Sequence, residues 1–142
     1  MRTLTVLTHL RKQRPHRRKG VAAAEFAVSL PILLVLMIGT IEACSMIYLK
    51  QTLSVAAYES IRASVVPNSS VASVQDAANA ILTSRGVSGS TVVVSPADYA
   101  TQPAGSWITV TVSAPGSANS VITGWYYDNQ TVSASATMMK EF

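Results

Sequence analysis

The hydrophobic and polar positions of this chain fall into three regimes. From residue 21 to residue 49 the only formal charges are Glu25 and Glu42, and almost every other position is apolar or small. At about 1.5 Å per residue such a run makes roughly 43 Å of helix, and a bilayer needs only about 20 apolar residues. It is too long for a secretory signal, whose apolar region is about 7 to 15 residues, and no small-x-small cleavage pattern precedes a change of character. Pro31 lies inside the run. An interior proline costs a helix in water about 3 kcal/mol, but neighbouring helices and local backbone adjustment accommodate it in a membrane. A kink is expected there.

The helix is predicted to continue past the membrane. Leu49, Leu53, Ala57, Ile61 and Val65 recur every four residues, with Lys50, Gln51, Glu59 and Arg62 elsewhere around the wheel, an amphipathic stripe continuous with the apolar run. It should end before Pro67, because a residue preceding proline is pushed out of the helical region. Ser70 then serves as an N-cap. Val71, Val74, Ala78, Ile81 and Leu82 mark a second, short amphipathic helix closed by Gly86.

After Gly86 the period becomes two. Residues 91–94, 108–112 and 132–138 are rich in β-branched residues or alternate small polar with apolar ones, and Pro, Gly, Asn and Ser separate them. Ile108, Val110 and Val112 would face inward, and Thr109, Thr111 and Ser113 would face water. The expected fold class is α+β: a long N-terminal transmembrane helix extending into a small domain with a second helix and an antiparallel sheet of about three strands, packed on the amphipathic half of the first helix. Without that helix the sheet would be marginal. Residues 121–127 include Trp125, Tyr126 and Tyr127, which read as an extra helical turn, a short strand or an exposed aromatic contact, with core packing the preferred role.

Charge adds an orientation. Arg2, Arg11, Lys12, Arg14, Arg17, Arg18 and Lys19 all precede Gly20 with no acidic residue among them, whereas the remainder is mildly acidic. The positive-inside rule holds such a cluster in the cytoplasm and sends the C-terminal part across the membrane. This divides the chain into a cytoplasmic basic leader (1–20), a transmembrane helix (21–49) and an extracytoplasmic domain (50–142). Nucleic-acid binding is not expected, because the basic residues belong to no folded domain and the apolar run follows at once. A carboxylate in hydrocarbon costs about 2.5 kcal/mol or more at the bilayer centre and less near an interface, so Glu25 needs a partner, or else only complements the helix dipole. Glu42 lies near the outer interface, where snorkelling is favoured over a role between subunits.

The chemistry-bearing residues are sparse. Cys44 is the only cysteine, so no disulfide can form within the chain; a buried thiol acting as a small apolar group is expected. A lipoprotein modified at Cys44 is disfavoured by Glu42 beside the cut and by the length of the apolar run. The sequons at Asn68 and Asn129 read as chance triplets in polar turns. His9 and His16 fall in the leader, and Asp76, Asp98 and Asp128 are isolated beside turn-forming residues. No metal-ligand spacing, phosphate loop or nucleophile elbow is present, so no catalytic residue, metal or cofactor is expected and the chain does not read as an enzyme.

A basic leader, Gly20 followed by Glu25 and Phe26, and then Leu30-Pro31-Ile32-Leu33-Leu34 together resemble the TadE-like family of tight-adherence pilus assembly proteins, which are type IV pilin-like. The similarity continues through Gly39-Thr40-Ile41-Glu42 and Ala56-Ala57-Tyr58-Glu59-Ser60-Ile61-Arg62-Ala63, and reappears at Val132-Ser133-Ala134-Ser135-Ala136-Thr137-Met138. The resemblance implies that a membrane-embedded prepilin peptidase cuts after Gly20, whose flexible backbone can enter the cleft extended. Val21 becomes the new terminus, often N-methylated in pilins, and Glu25 the fifth mature residue. The released ammonium then supplies a cation for Glu25 on its own or a neighbouring subunit, which sets register where water is excluded. Major pilins of this type usually have Tyr after the Glu and are much shorter. Phe26 and the sizeable exported domain therefore imply a minor pilin or pseudopilin in the assembly of these pili. The implied partners are the peptidase, other pilins or pseudopilins, platform proteins and the bacterial cytoplasmic membrane, crossed once with the C-terminal domain outside. The competing reading is an uncleaved single-pass anchor whose extracytoplasmic domain binds a partner.

Overall fold

The computed structural model describes residues 17–122 and 127–141. The chain divides into two units, Met1–Ile38 and Gly39–Phe142, and one helix, α1 (Arg17–Ser64), has residues in both. In the first unit α1 carries an apolar surface that no protein covers: Val21, Phe26, Val28, Ile32, Leu33 and Leu36 are all exposed. Hydrocarbon surface left in water forfeits about 25 cal/mol per Å², so a run of this kind calls for an apolar solvent. Among the described residues α1 is the one helix long and apolar enough to cross a membrane. Pro31 sits inside it without ending it, and the Ser29 hydroxyl donates to the Phe26 carbonyl at 3.0 Å. Residues 17–20, read as the end of the leader, are already helical.

The second unit holds the remainder of α1, then α2 (Val71–Ser84), β1 (Thr91–Ser95), a 3-10 turn at Tyr99–Thr101, β2 (Trp107–Pro115) and β3 (Thr131–Met139). The three strands form one antiparallel sheet in the order β1-β2-β3, each spanning its predicted segment and running slightly beyond it. Val110 lies opposite Val94 on one side and Ala136 on the other. Ile108, Val110, Val112 and Ala114 are buried, as their alternation requires; Thr109, Thr111 and Ser113 are half-exposed because both neighbouring strands flank them.

The core joins α1, α2 and the sheet in one cluster. Leu49, Leu53, Ala57 and Ile61 of the predicted stripe are buried, but so are Met46, Ala56, Thr52, Ser60 and Ser64. A helix with 3.6 residues per turn buries i+3 as well as i+4 neighbours, so the inward face is wider than the four-residue repeat. Ser60 and Ser64 stay satisfied by donating to the carbonyls of Ala56 and Ile61, each at 2.7 Å. From α2, Val74, Ala78 and Leu82 are buried, whereas Val71, at the first helical position, is exposed.

Local signals set the helix ends. α1 stops at Ser64, ahead of Pro67. Ser70 caps α2 in a reciprocal box: its hydroxyl accepts from Ser73 N–H at 3.2 Å, and Ser73's hydroxyl accepts from Ser70 N–H at 3.0 Å. At the other end Val87 N–H reaches Leu82 C=O, and Gly86 N–H reaches Thr83 C=O, the paired bonds of a Schellman closure that needs the positive φ of Gly86, 68°. The 3-10 turn delivers a fully buried Tyr99 to the core. Lys140, just past β3, donates from Nζ to the carbonyls of Tyr99, Ala100 and Gln102 at 3.3, 2.8 and 2.8 Å.

Candidate functional site

The predicted processing residues lie on consecutive turns of α1 in the first unit. Gly20 is helical and exposed, and a Cβ added there would meet nothing within 4 Å. Packing among the described residues therefore places no demand for glycine at position 20. The sequence reading had it extended in a protease cleft, so such a cleft must first open this turn. Val21 and Glu25 are four residues apart and share a face, with Phe26 and Pro31 further along. Glu25 is exposed and has no hydrogen-bond or ion-pair partner among the described residues.

Glu42, in the second unit, is placed differently from its expected snorkelling position. Its side chain is only 9% exposed. Oε1 accepts from the Ser120 hydroxyl and Oε2 from the Ile122 N–H at 3.3 Å. A carboxylate taken out of water needs such donors, and here the connection between β2 and β3 folds back onto α1 to provide them. Val121, between the two donors, is 64% exposed. Cys44, expected to be buried, is exposed, since it lies off the inward face marked by Met46 and Leu49. On the neighbouring turns Ala43, Met46, Ile47, Lys50 and Gln51 join Tyr127 and Val132 to line an open groove of about 470 Å³. Lys50 donates from Nζ to the Ser133 carbonyl of β3. Trp125 and Tyr126 lie outside the described residues; Tyr127 is partly buried against the core.

Residues 20–62 match the family model described as TadE-like protein. This stretch of α1, the TadE-like segment, is similar to the TadE-like family. It starts at Gly20 and includes Val21, Glu25, Phe26, Pro31 and Glu42, the processing and carboxylate candidates named from the sequence. The resemblance noted at residues 132–138 lies outside it. No curated protein and no solved structure matches the chain.

Of the three carboxylates in the TadE-like segment, Glu25 has no partner among the described residues and Glu42 is clasped, while Glu59 lies further along the helix. The clasp was not legible in the sequence, since Ser120 and Ile122 lie 78 and 80 residues from Glu42 and neither belongs to a motif. Among the described residues no three His, Cys, Asp or Glu side chains gather into a metal site. What the arrangement offers chemically is a carboxylate, Glu25, with no partner among the described residues on an apolar helix, an exposed Gly20 on a neighbouring turn, and an apolar surface beside Glu42.

Proposed function

We propose that this chain is a minor pilin or pseudopilin in the assembly of tight-adherence type IV pili, cut by a prepilin peptidase between Gly20 and Val21. The TadE-like segment associates the chain with tight-adherence pilus systems. The observation that carries the finer reading is the coincidence of the start of that match, Gly20, with an exposed and unpartnered Glu25 one turn beyond Val21. An isolated carboxylate on a membrane helix is costly. Cleavage at Gly20 creates an ammonium at Val21, on the same face as Glu25, for that subunit or its neighbour. In this reading the protein is a non-catalytic component whose partners are the peptidase, other pilins and the assembly platform, and the leader stays in the cytoplasm.

Mass spectrometry of membrane-extracted protein tests the cleavage. A species beginning at Val21, absent from a host lacking the peptidase, is the expected result. Recovery of the full-length chain alone from a host with active peptidase overturns processing and leaves the uncleaved single-pass anchor.

A further inference from the structure

Several features of the second unit fall at one level of α1. Taking about 20 residues as the hydrocarbon span, counted from Val21 or from Phe26, the span ends between residues 40 and 45, and the headgroup layer reaches about five residues further. Glu42, Met46, Ile47 and Lys50 lie at this level. The connection between β2 and β3 is drawn down to it by the bonds of Ser120 and Ile122 to Glu42, which leave Val121 between them facing outward. Ile41, Ile47 and Tyr48 are exposed on the adjacent turns, and the apolar groove opens beside them with Lys50 on its wall. Glu42 is the one acidic residue between residues 26 and 58, and the clasp hides it. What α1 leaves exposed at this level is apolar or cationic, and the exposed Asp128 follows Tyr127 at the groove's other wall.

We propose that this surface is a second membrane contact, with Val121 seated at the boundary of the outer leaflet, lipid covering the groove, and Lys50 facing lipid phosphate. The inference rests on α1 spanning the membrane. Lipid is the occupant because the patch is the direct continuation of the apolar turns of α1, and because an apolar groove with Lys50 on its wall complements acyl chain and phosphate headgroup together. Glu42 then acts as a positioning residue that holds the loop at this depth.

The test uses the full chain reconstituted in vesicles of phosphatidylcholine and phosphatidylglycerol. With Cys44→Ala as background, Val121→Cys or, as control, Val66→Cys carries an environment-sensitive fluorophore; Val66 is exposed just past the end of α1. Residue 121 is expected to show blue-shifted emission, quenching by lipid-attached nitroxides and iodide quenching several-fold weaker than residue 66. Adding Glu42→Ala should release the loop and return iodide access at 121 while the protein still floats with the vesicles; Ser120→Ala, which removes one donor, serves if that variant does not accumulate. Iodide access at 121 equal to that at 66 in co-floating protein overturns the inference but leaves the span intact. Shielding at 121 that rises with protein density without nitroxide quenching assigns the surface to another subunit and also overturns it. Failure to co-float overturns the span and the inference with it.

Discussion

Glu25 and Glu42 stand on the same helix, and their surroundings ask different things of a mutation. Glu25 is exposed and has no hydrogen-bond or ion-pair partner among the described residues, so Glu25→Ala removes a membrane-insertion cost and no polar contact described there. The variant should accumulate normally in the membrane and lose surface pili, measured together by immunoblot and shear preparation. Normal pili would reduce Glu25 to a dipole-complementing residue, and loss of the protein would move its role to insertion. Tyr99 makes a contrasting case: it is fully buried, and its hydroxyl has no hydrogen-bond partner among the described residues. A buried unsatisfied hydroxyl costs about 1–3 kcal/mol, so Tyr99→Phe should be neutral or stabilising, by up to about that amount. A fall in the denaturation midpoint would mean that the hydroxyl is bonded after all.

The elements differ in how much of them the sequence spelled out. Both ends of α2 were legible because Ser70 and Gly86 act through bonds to residues at most four positions away. Breaking the capping box with Ser70→Ala should lower stability by about 0.5–2 kcal/mol; an unchanged urea midpoint would show that tertiary packing alone holds the helix start. The strands were legible from alternation at Ile108, Val110 and Val112. Burial of Ser60 and Ser64 was not, because a serine reads as polar unless its hydroxyl is known to bond its own helix. Nor was the Tyr99 turn, whose burial depends on a neighbouring sheet rather than on any local period. In the candidate site, the residues of the TadE-like segment could be named in advance; the Glu42 clasp depends on a tertiary fold-back and could not.

At the scale of the whole molecule the division between the two units predicts where the chain can be shortened. Leu49, Leu53, Ala57 and Ile61 are core residues of the second unit, so a fragment 39–142 should fold in solution, while 67–142, deprived of them, should lack dispersed amide resonances and a cooperative melt. A folded 67–142 would show that the sheet and α2 suffice alone. The proposed orientation has its own test: protease at a dose high enough to digest the folded, detergent-extracted domain should also digest it in spheroplasts and spare the leader, and protection of the domain at that dose would reverse the topology.

The grip of Lys140 on Tyr99, Ala100 and Gln102 also sets a timetable. If the chain crosses the membrane from its N-terminal side, the buried stripe of α1 emerges first, yet the strand that flanks β2 and the ammonium that locks the 3-10 turn arrive only when residue 140 has crossed. Contacts separated by this much sequence close late. The domain should therefore remain protease-sensitive throughout translocation and become resistant in one step after it, which leaves the emerging chain pliable for a narrow export channel and exposes any stalled molecule to clearance.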